Sequence, residues 1–247
     1  MRKTIVIGIS LIFFIGIASQ AFSARKTHCW DLNKNYACDL VTEDINGDGK
    51  CNKFDCETEE PCYAVPQTGQ TTCYSTAGTE IDCAGTGQDG EYKYGTPWPA
   101  PRFTDNLDGT VTDNFTGLIW LKIANCGGTK TWTDALAFAN SLYDDGNGGN
   151  CGLSDDSLAG DWRLPNVREL HSLITFGFWD PALPDTTGDS QWTEGNSFFG
   201  VESNYYWSST TFVRWMDDAW IVSLWYGNAD HDDKVSDHFV WPVRGGN

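Results

Sequence analysis

The residues best spaced for chemistry fall in the stretch 44–55, D-I-N-G-D-G-K-C-N-K-F-D. A calcium ion takes about six to eight hard oxygens from a sharply turned loop. This stretch offers Asp44, Asn46, Asp48, the Lys50 carbonyl, Asn52 and Asp55 as ligands, with Gly49 at the turn. Upstream, Asp31, Asn33, Asn35 and Asp39 repeat the spacing, without the glycine and without an acid at the last ligand position, where Thr42 stands beside Glu43. The expectation is a structural calcium in the 44–55 loop and a weaker counterpart before it.

A second group of candidates lies near the other end of the chain. Tyr206, Trp207, Trp220, Val222, Val240, Trp241 and Val243 are aromatic or β-branched and read as strand and core positions. Between them, 212–218 and 228–238 mix Asp, His, Asn, Arg and bulky aromatics without strand or helix period. Aromatic and Arg side chains supply buried contact area, and carboxylates and amides supply direction, so this mixture suits a ligand surface. Its candidate contacts are Phe212, Arg214, Trp215, Asp217, Asp218, Trp225, Tyr226, Asn228, Asp230, His231 and Asp232. The ligand class is a glycan or a protein. His231 and His238 could ligate a metal with neighbouring Asp, although an exposed His among carboxylates is more often surface. No Ser-His-Asp order, catalytic carboxylate pair or phosphate loop stands out, so no catalysis is expected. The alternatives are a hydrolase with an Asp/His-rich cleft and a surface-assembly or structural component.

The elements that must position these groups begin with an export signal. Arg2 and Lys3 precede an apolar run over 5–17, and Ala21-Phe22-Ser23 offers small residues for cleavage after Ser23. The run is short for a span of about 20 residues, so the mature chain is expected to be secreted, extracellular or on the cell surface, or periplasmic, with no membrane span. Formal net charge is −18, which disfavours nucleic acid and anionic membranes as partners. Nine cysteines in an exported chain point to disulfides, and the odd number leaves one unpaired. Spacing pairs Cys73 with Cys83 and Cys126 with Cys151, whereas the pairing among Cys29, Cys38, Cys51, Cys56 and Cys62 stays open. Eleven of the twelve Trp lie at or after Trp98, so the large core belongs there. The segment 24–66, too poor in apolar residues to build a core, needs disulfides and metal. Three parts result: a signal over 1–23, a Cys-rich calcium-loop segment over 24–66 and a binding domain over 67–247.

Within that domain, alternation on both sides of Leu107-Asp108-Gly109 predicts a β-hairpin in which Asp105, Asp108 and Asp113 are turn and edge residues. Trp132, Leu136, Ala139 and Leu142 follow at helical spacing behind a Thr131 or Thr133 cap. A second helix starts at Asn166, with Glu169 completing a capping box and Leu170, Leu173 and Ile174 facing the core. His171 reads as a solvent-side or capping residue. Short strands dominate the rest.

These residues resemble known families. Asp at the last loop position, in place of the EF-hand Glu, is similar to dockerin and thrombospondin type 3 loops. The ordered motifs T-D-N-L-D-G-T-V-T-D-N-F-T-G-L-I-W, G-D-W-R-L-P-N-V-R-E-L, Y-Y-W-S-S-T and V-W-P-V-R-G-G resemble the C-terminal domain of the Legionella collagen-like protein over about 68–246. That resemblance implies an α+β, C-type-lectin-like fold of two helices and a twisted antiparallel sheet with its termini together. It also implies an exported adhesin that binds sulfated polysaccharide as a homotrimer. The ligand fits poorly here, because Asp217, Asp218, Asp230, Asp232, Asp233 and Asp237 outnumber Arg214 and Lys234. The R-L-P stretch is similar to that of formylglycine-generating enzymes, but no Cys follows Cys151 to supply their copper site. The Glu-Pro-Asn and Trp-Asn-Asp motifs of calcium-dependent lectins are missing from the sequence. The frame W-S-S-T, A-W-I-V and P-V-R-G-G with heterogeneous residues between also resembles targets of diversity-generating retroelements, although Trp215, Met216 and Trp225 are not reached from Asn codons by adenine change alone.

Overall fold

The structure is a computed structural model that describes residues 65–147 and 150–245. Both calcium loops, the signal segment and the first five cysteines lie outside the described residues. What is described belongs to one compact unit over 63–247. Its elements in chain order are β1 (Cys73–Tyr74), β2 (Glu80–Ile81), α1 (Asp89–Tyr92), β3 (Phe103–Asp105), β4 (Thr110–Asp113), β5 (Ile119–Leu121) and β6 (Thr129–Lys130). They are followed by α2 (Trp132–Ser141), α3 (Val167–His171), β7 (Tyr205–Thr211), β8 (Asp218–Ser223), β9 (Ala229–Asp233), β10 (His238–Phe239) and β11 (Val243–Arg244).

The hairpin forms where the turn residues require it. Asp105 accepts the Leu107 N–H at 3.0 Å, Asp108 accepts the Thr110 N–H and hydroxyl at 3.0 and 2.6 Å, and Leu107 takes φ 63°. These short local bonds hold the reversal that lets β3 and β4 pair with Asp105 opposite Val111. Asp113 departs from the expectation of an edge residue. It is fully buried, and Arg102, also fully buried, donates to it from Nε at 2.8 Å and Nη2 at 2.9 Å. The pair is sandwiched by the rings of Trp98, Phe103 and Phe115 around the guanidinium, which explains how two charges survive inside.

The expected single antiparallel sheet is two sheets. One has four strands in the order β11-β5-β4-β3, the other five in the order β6-β10-β7-β8-β9, and β1-β2 make a separate hairpin. Strand β10 runs parallel to β7 at Phe239 and Tyr206, because the chain crosses the sheet to bring 240–244 back beside β5. Helices α2 and α3 start where the sequence puts them, but α3 ends at His171, so Leu173 and Ile174 are buried in the turn after it and not on the helix. Thr131 caps α2 through the Asp134 N–H, and Asn166 and Glu169 form the reciprocal capping box of α3. Ala135 and Ala139 of α2 pack with Trp207, Ala219, Ile221 and Val240 on one face of the five-stranded sheet. Leu170 of α3 joins Tyr206, Val222, Trp120, Trp162, Phe198 and Trp241 in the larger core.

The sequence motifs prove to be fastenings of this frame. Arg163 pairs in both directions with the Val243 backbone, grips Glu169 with two 2.7 Å bonds and donates to the Gly245 carbonyl. Trp162 donates to Ser157, Trp207 to the Lys130 carbonyl and Trp241 to the Leu121 carbonyl, whereas the indole N–H of the equally buried Trp120 has no partner. The two pairings expected from spacing are present as the disulfides Cys73–Cys83 and Cys126–Cys151. Trp220, expected in the core, is only half-buried: Ala219 and Ile221 turn inward, and strand alternation turns Trp220 away from them. Among the described residues no helix is long and apolar enough to cross a membrane.

Candidate functional site: an aromatic face on the five-stranded sheet

The side chain of Trp220 sits opposite His231 in the β8–β9 register, on the face where α3 covers the far end of the sheet over Val222. Beyond the reach of α3 that face carries rings. Phe212 stacks on His231 with centroids 4.0 Å apart and planes 5° off parallel. Trp215 and Trp220 close on the pair from its edges, at 5.7 and 5.1 Å from Phe212. The Asp218 carboxylate holds His231 Nδ1 at 2.7 Å, and the Arg214 guanidinium lies 4.9 Å over the Trp215 ring.

Backbone bonds set this arrangement without help from a ligand. The Phe212 N–H donates to the Asp218 carbonyl at 3.0 Å, the Asp218 N–H to the Trp215 carbonyl at 3.0 Å, and the Lys234 N–H to the Asp217 carbonyl at 2.9 Å. Lys234 Nζ is consumed inside the loop by the Met216 carbonyl and the Thr211 hydroxyl and lies over Trp132. Outside this bracing Trp215 is 47% and Met216 77% exposed. Large apolar side chains held rigidly in water are the usual mark of a contact surface.

The eleven residues singled out by sequence do not share one surface. Phe212, Arg214, Trp215, Asp217 and Asp218 occupy the loop that enters β8, with His231 beside them. Trp225, Tyr226 and Asn228 occupy the turn that leaves β8, and six strand residues set the two ends roughly 20 Å apart. Trp225 and Tyr226 stack on each other with centroids 4.9 Å apart. Asp230 and Asp232 alternate to the reverse of His231, and Asp232 binds His238 Nε2 at 2.9 Å. Partial burial pushes the Asp232 carboxyl up, but the bond from His238, the Asp233 N–H and the histidine charge together hold it below the ordinary value. His171 does more than cap: its Nε2 meets the Gly227 carbonyl at 3.1 Å, tying α3 to that second turn.

Sequence reasoning missed Trp220, although the order D-A-W-I already alternates small and apolar residues against the indole. It also missed Phe176 and Trp179, which stand exposed in the segment after α3. Among the described residues no three His, Cys, Asp or Glu side chains converge to hold a metal ion.

A disulfide-stapled α+β module with its motif residues buried and a rigid aromatic face outside defines a class of frame-and-surface proteins. The chain belongs to the Lcl C-terminal domain family, whose model matches residues 109–244, more than half of the sequence. The match opens inside the β3–β4 hairpin and runs through β11. No curated protein and no solved structure matches the chain.

Proposed function

We propose that the protein is a secreted or cell-surface binding protein, adhesin-like, that presents the Phe212–Trp215–Trp220–His231 face to a glycan or protein ligand on a C-type-lectin-like frame. The observation that carries this is that Trp215 stands 47% exposed against a half-buried stack of rings, on a loop pinned by its own backbone. Such a surface loses little order on binding, so the buried aromatic area is converted to affinity instead of being spent on ordering. The two disulfides and the family are compatible with a life outside the cell. Acid outweighs base around the face, which favours ligands that are neutral or cationic over sulfated polyanions. No catalytic step is assigned to His231, whose Nδ1 is engaged by Asp218 and whose ring is covered on one face by Phe212.

Calcium belongs to the same proposal. Asp44, Asn46, Asp48, the Lys50 carbonyl, Asn52 and Asp55 would stiffen the stretch before the domain, and the loop formed by Asp31, Asn33, Asn35 and Asp39 would add a weaker site.

The test is a screen of the full chain against glycan arrays and intact cells, followed by Trp215→Ala and Phe212→Ala on whatever binds. Truncating a central aromatic contact is expected to cost about 2 kcal/mol or more of affinity with the melting temperature unchanged. Binding that survives both substitutions would overturn this reading.

A further inference from the structure

The far turn of β8 forms one wall of a separate cleft of about 280 Å³. Five aromatic residues, Tyr74, Phe176, Phe178, Trp179 and Tyr226, line it together with Gln70 and Thr71. Four of the five aromatic side chains are about half exposed or more, from 48% for Phe176 to 66% for Trp179, and Phe178 is partly buried. None of the residues lining the cleft is charged, in a chain whose net charge is −18.

The walls are fixed by hydrogen bonds to their main chain, and Tyr226 is also held by stacking on Trp225, which covers one face of its ring. The Asp180 N–H donates to the Trp225 carbonyl at 2.9 Å, and Gln191 Nε2 donates to the Trp179 carbonyl at 2.6 Å. The Phe176 N–H reaches the Thr68 carbonyl at 2.7 Å, and the Gly69 carbonyl lies so close to Gly177 that a Cβ there would collide with it. Gln88 pairs with the Tyr74 backbone in both directions, next to the Cys73–Cys83 disulfide. Three segments distant in sequence therefore hold open aromatic faces, amides and hydroxyls around a small space.

We propose that this cleft binds uncharged sugar units of a glycan. A pyranose ring has one apolar C–H face, which stacks on Trp or Tyr, and a rim of hydroxyls, which pair with Gln and Thr as neutral donors and acceptors. A ligand bearing sulfate or carboxylate would leave its charge without a partner in a partly dehydrated space, which is costly. The volume lies just below the range of about 300–1,000 Å³ of small-molecule sites, so it suits one or two sugar units and not a folded partner. This inference does not rest on the Phe212 face, which lies at the other end of β8.

The test titrates the full chain with maltohexaose, cellohexaose and mannohexaose, and with a heparin hexasaccharide and hexagalacturonate as charged counterparts, following tryptophan fluorescence and calorimetry. At least one neutral hexasaccharide is expected to bind. Trp179→Ala and Tyr226→Ala should each weaken that binding about tenfold or more at unchanged melting temperature, whereas Tyr143→Ala, at an exposed ring that belongs to neither surface, should leave it as in wild type. The proposal is overturned if no neutral hexasaccharide binds at about 10 mM, if the charged sugars bind equally well through Trp179, or if both variants bind like wild type. Loss of binding in Trp215→Ala alone would favour the Phe212 face and count against the cleft.

Discussion

At the scale of single residues, the Arg102–Asp113 pair is the costliest commitment in the core. Asp113 also accepts the Phe115 N–H and the Thr116 hydroxyl, so its carboxylate is fully spoken for inside the protein. Removing one partner strands the other charge, and Arg102→Met is expected to destabilise the domain by about 3–5 kcal/mol in urea titration. Glu169 gives a pH signature. Burial alone would raise its carboxyl, but the Arg163 bond, the Asn166 N–H and the Arg163 charge hold it below the ordinary 4.5. A depressed folded value means that its contribution is present above the unfolded value and lost as pH falls through the folded one. The stability gap between wild type and Glu169→Gln, measured by thermal melts, should therefore be widest near neutrality and close as pH falls below about 4. Of these residues, Glu169 was legible because a capping box is a local pattern. Arg102 and Asp113 were not, since nothing in P-R-F or V-T-D shows that two charges eleven residues apart will meet inside a ring of aromatics.

At the scale of elements, local rules succeeded where local bonds decide. The β3–β4 hairpin, the caps of α2 and α3 and the two disulfides all follow from residues close in sequence or from cysteine spacing. The division into two sheets and the parallel β7–β10 contact did not, because they depend on which strands meet across long separations. The candidate face was half legible: loop composition marked 212–218, but treating Trp220 as core ignored the alternation that sends it outward. The distance between the two turns of β8 then split a surface that sequence had drawn as one. The Cys126–Cys151 bridge closes a separation of 25 residues across α2 and its following loop. Replacing both cysteines with Ser is expected to cost about 3 kcal/mol, read from denaturant midpoints under non-reducing conditions. Trp162→Ala and Trp207→Ala should cost about 3–5 kcal/mol, whereas Trp220→Ala should spare the fold more than either.

At the scale of the whole molecule, the calcium proposal makes a separable prediction. Calorimetry on the full chain should show calcium binding that Asp44→Ala with Asp48→Ala removes, while the melting of the Trp-rich unit changes little. Net charge acts over the same scale. With −18 to hold together, the compact state repels itself, so moderate salt should raise the melting temperature even though partly buried ion pairs such as Lys122–Asp105 are screened to some extent.

The return of β11 to β5 has a consequence in time. Trp120 pairs with Val243, Leu121 bonds to Pro242, and Arg163 is bridged by the same valine, so the four-stranded sheet and the α3 cap share a latch near residue 243. Pairings across such separations form slowly, and none of these can form before residue 243 has been synthesised. A chain released from the ribosome after residue 240 should remain protease-sensitive, and one released after residue 245 should not. A domain fastened in this way cannot complete its four-stranded sheet until the segment around residue 243 is free to pair, and its topology carries that delay.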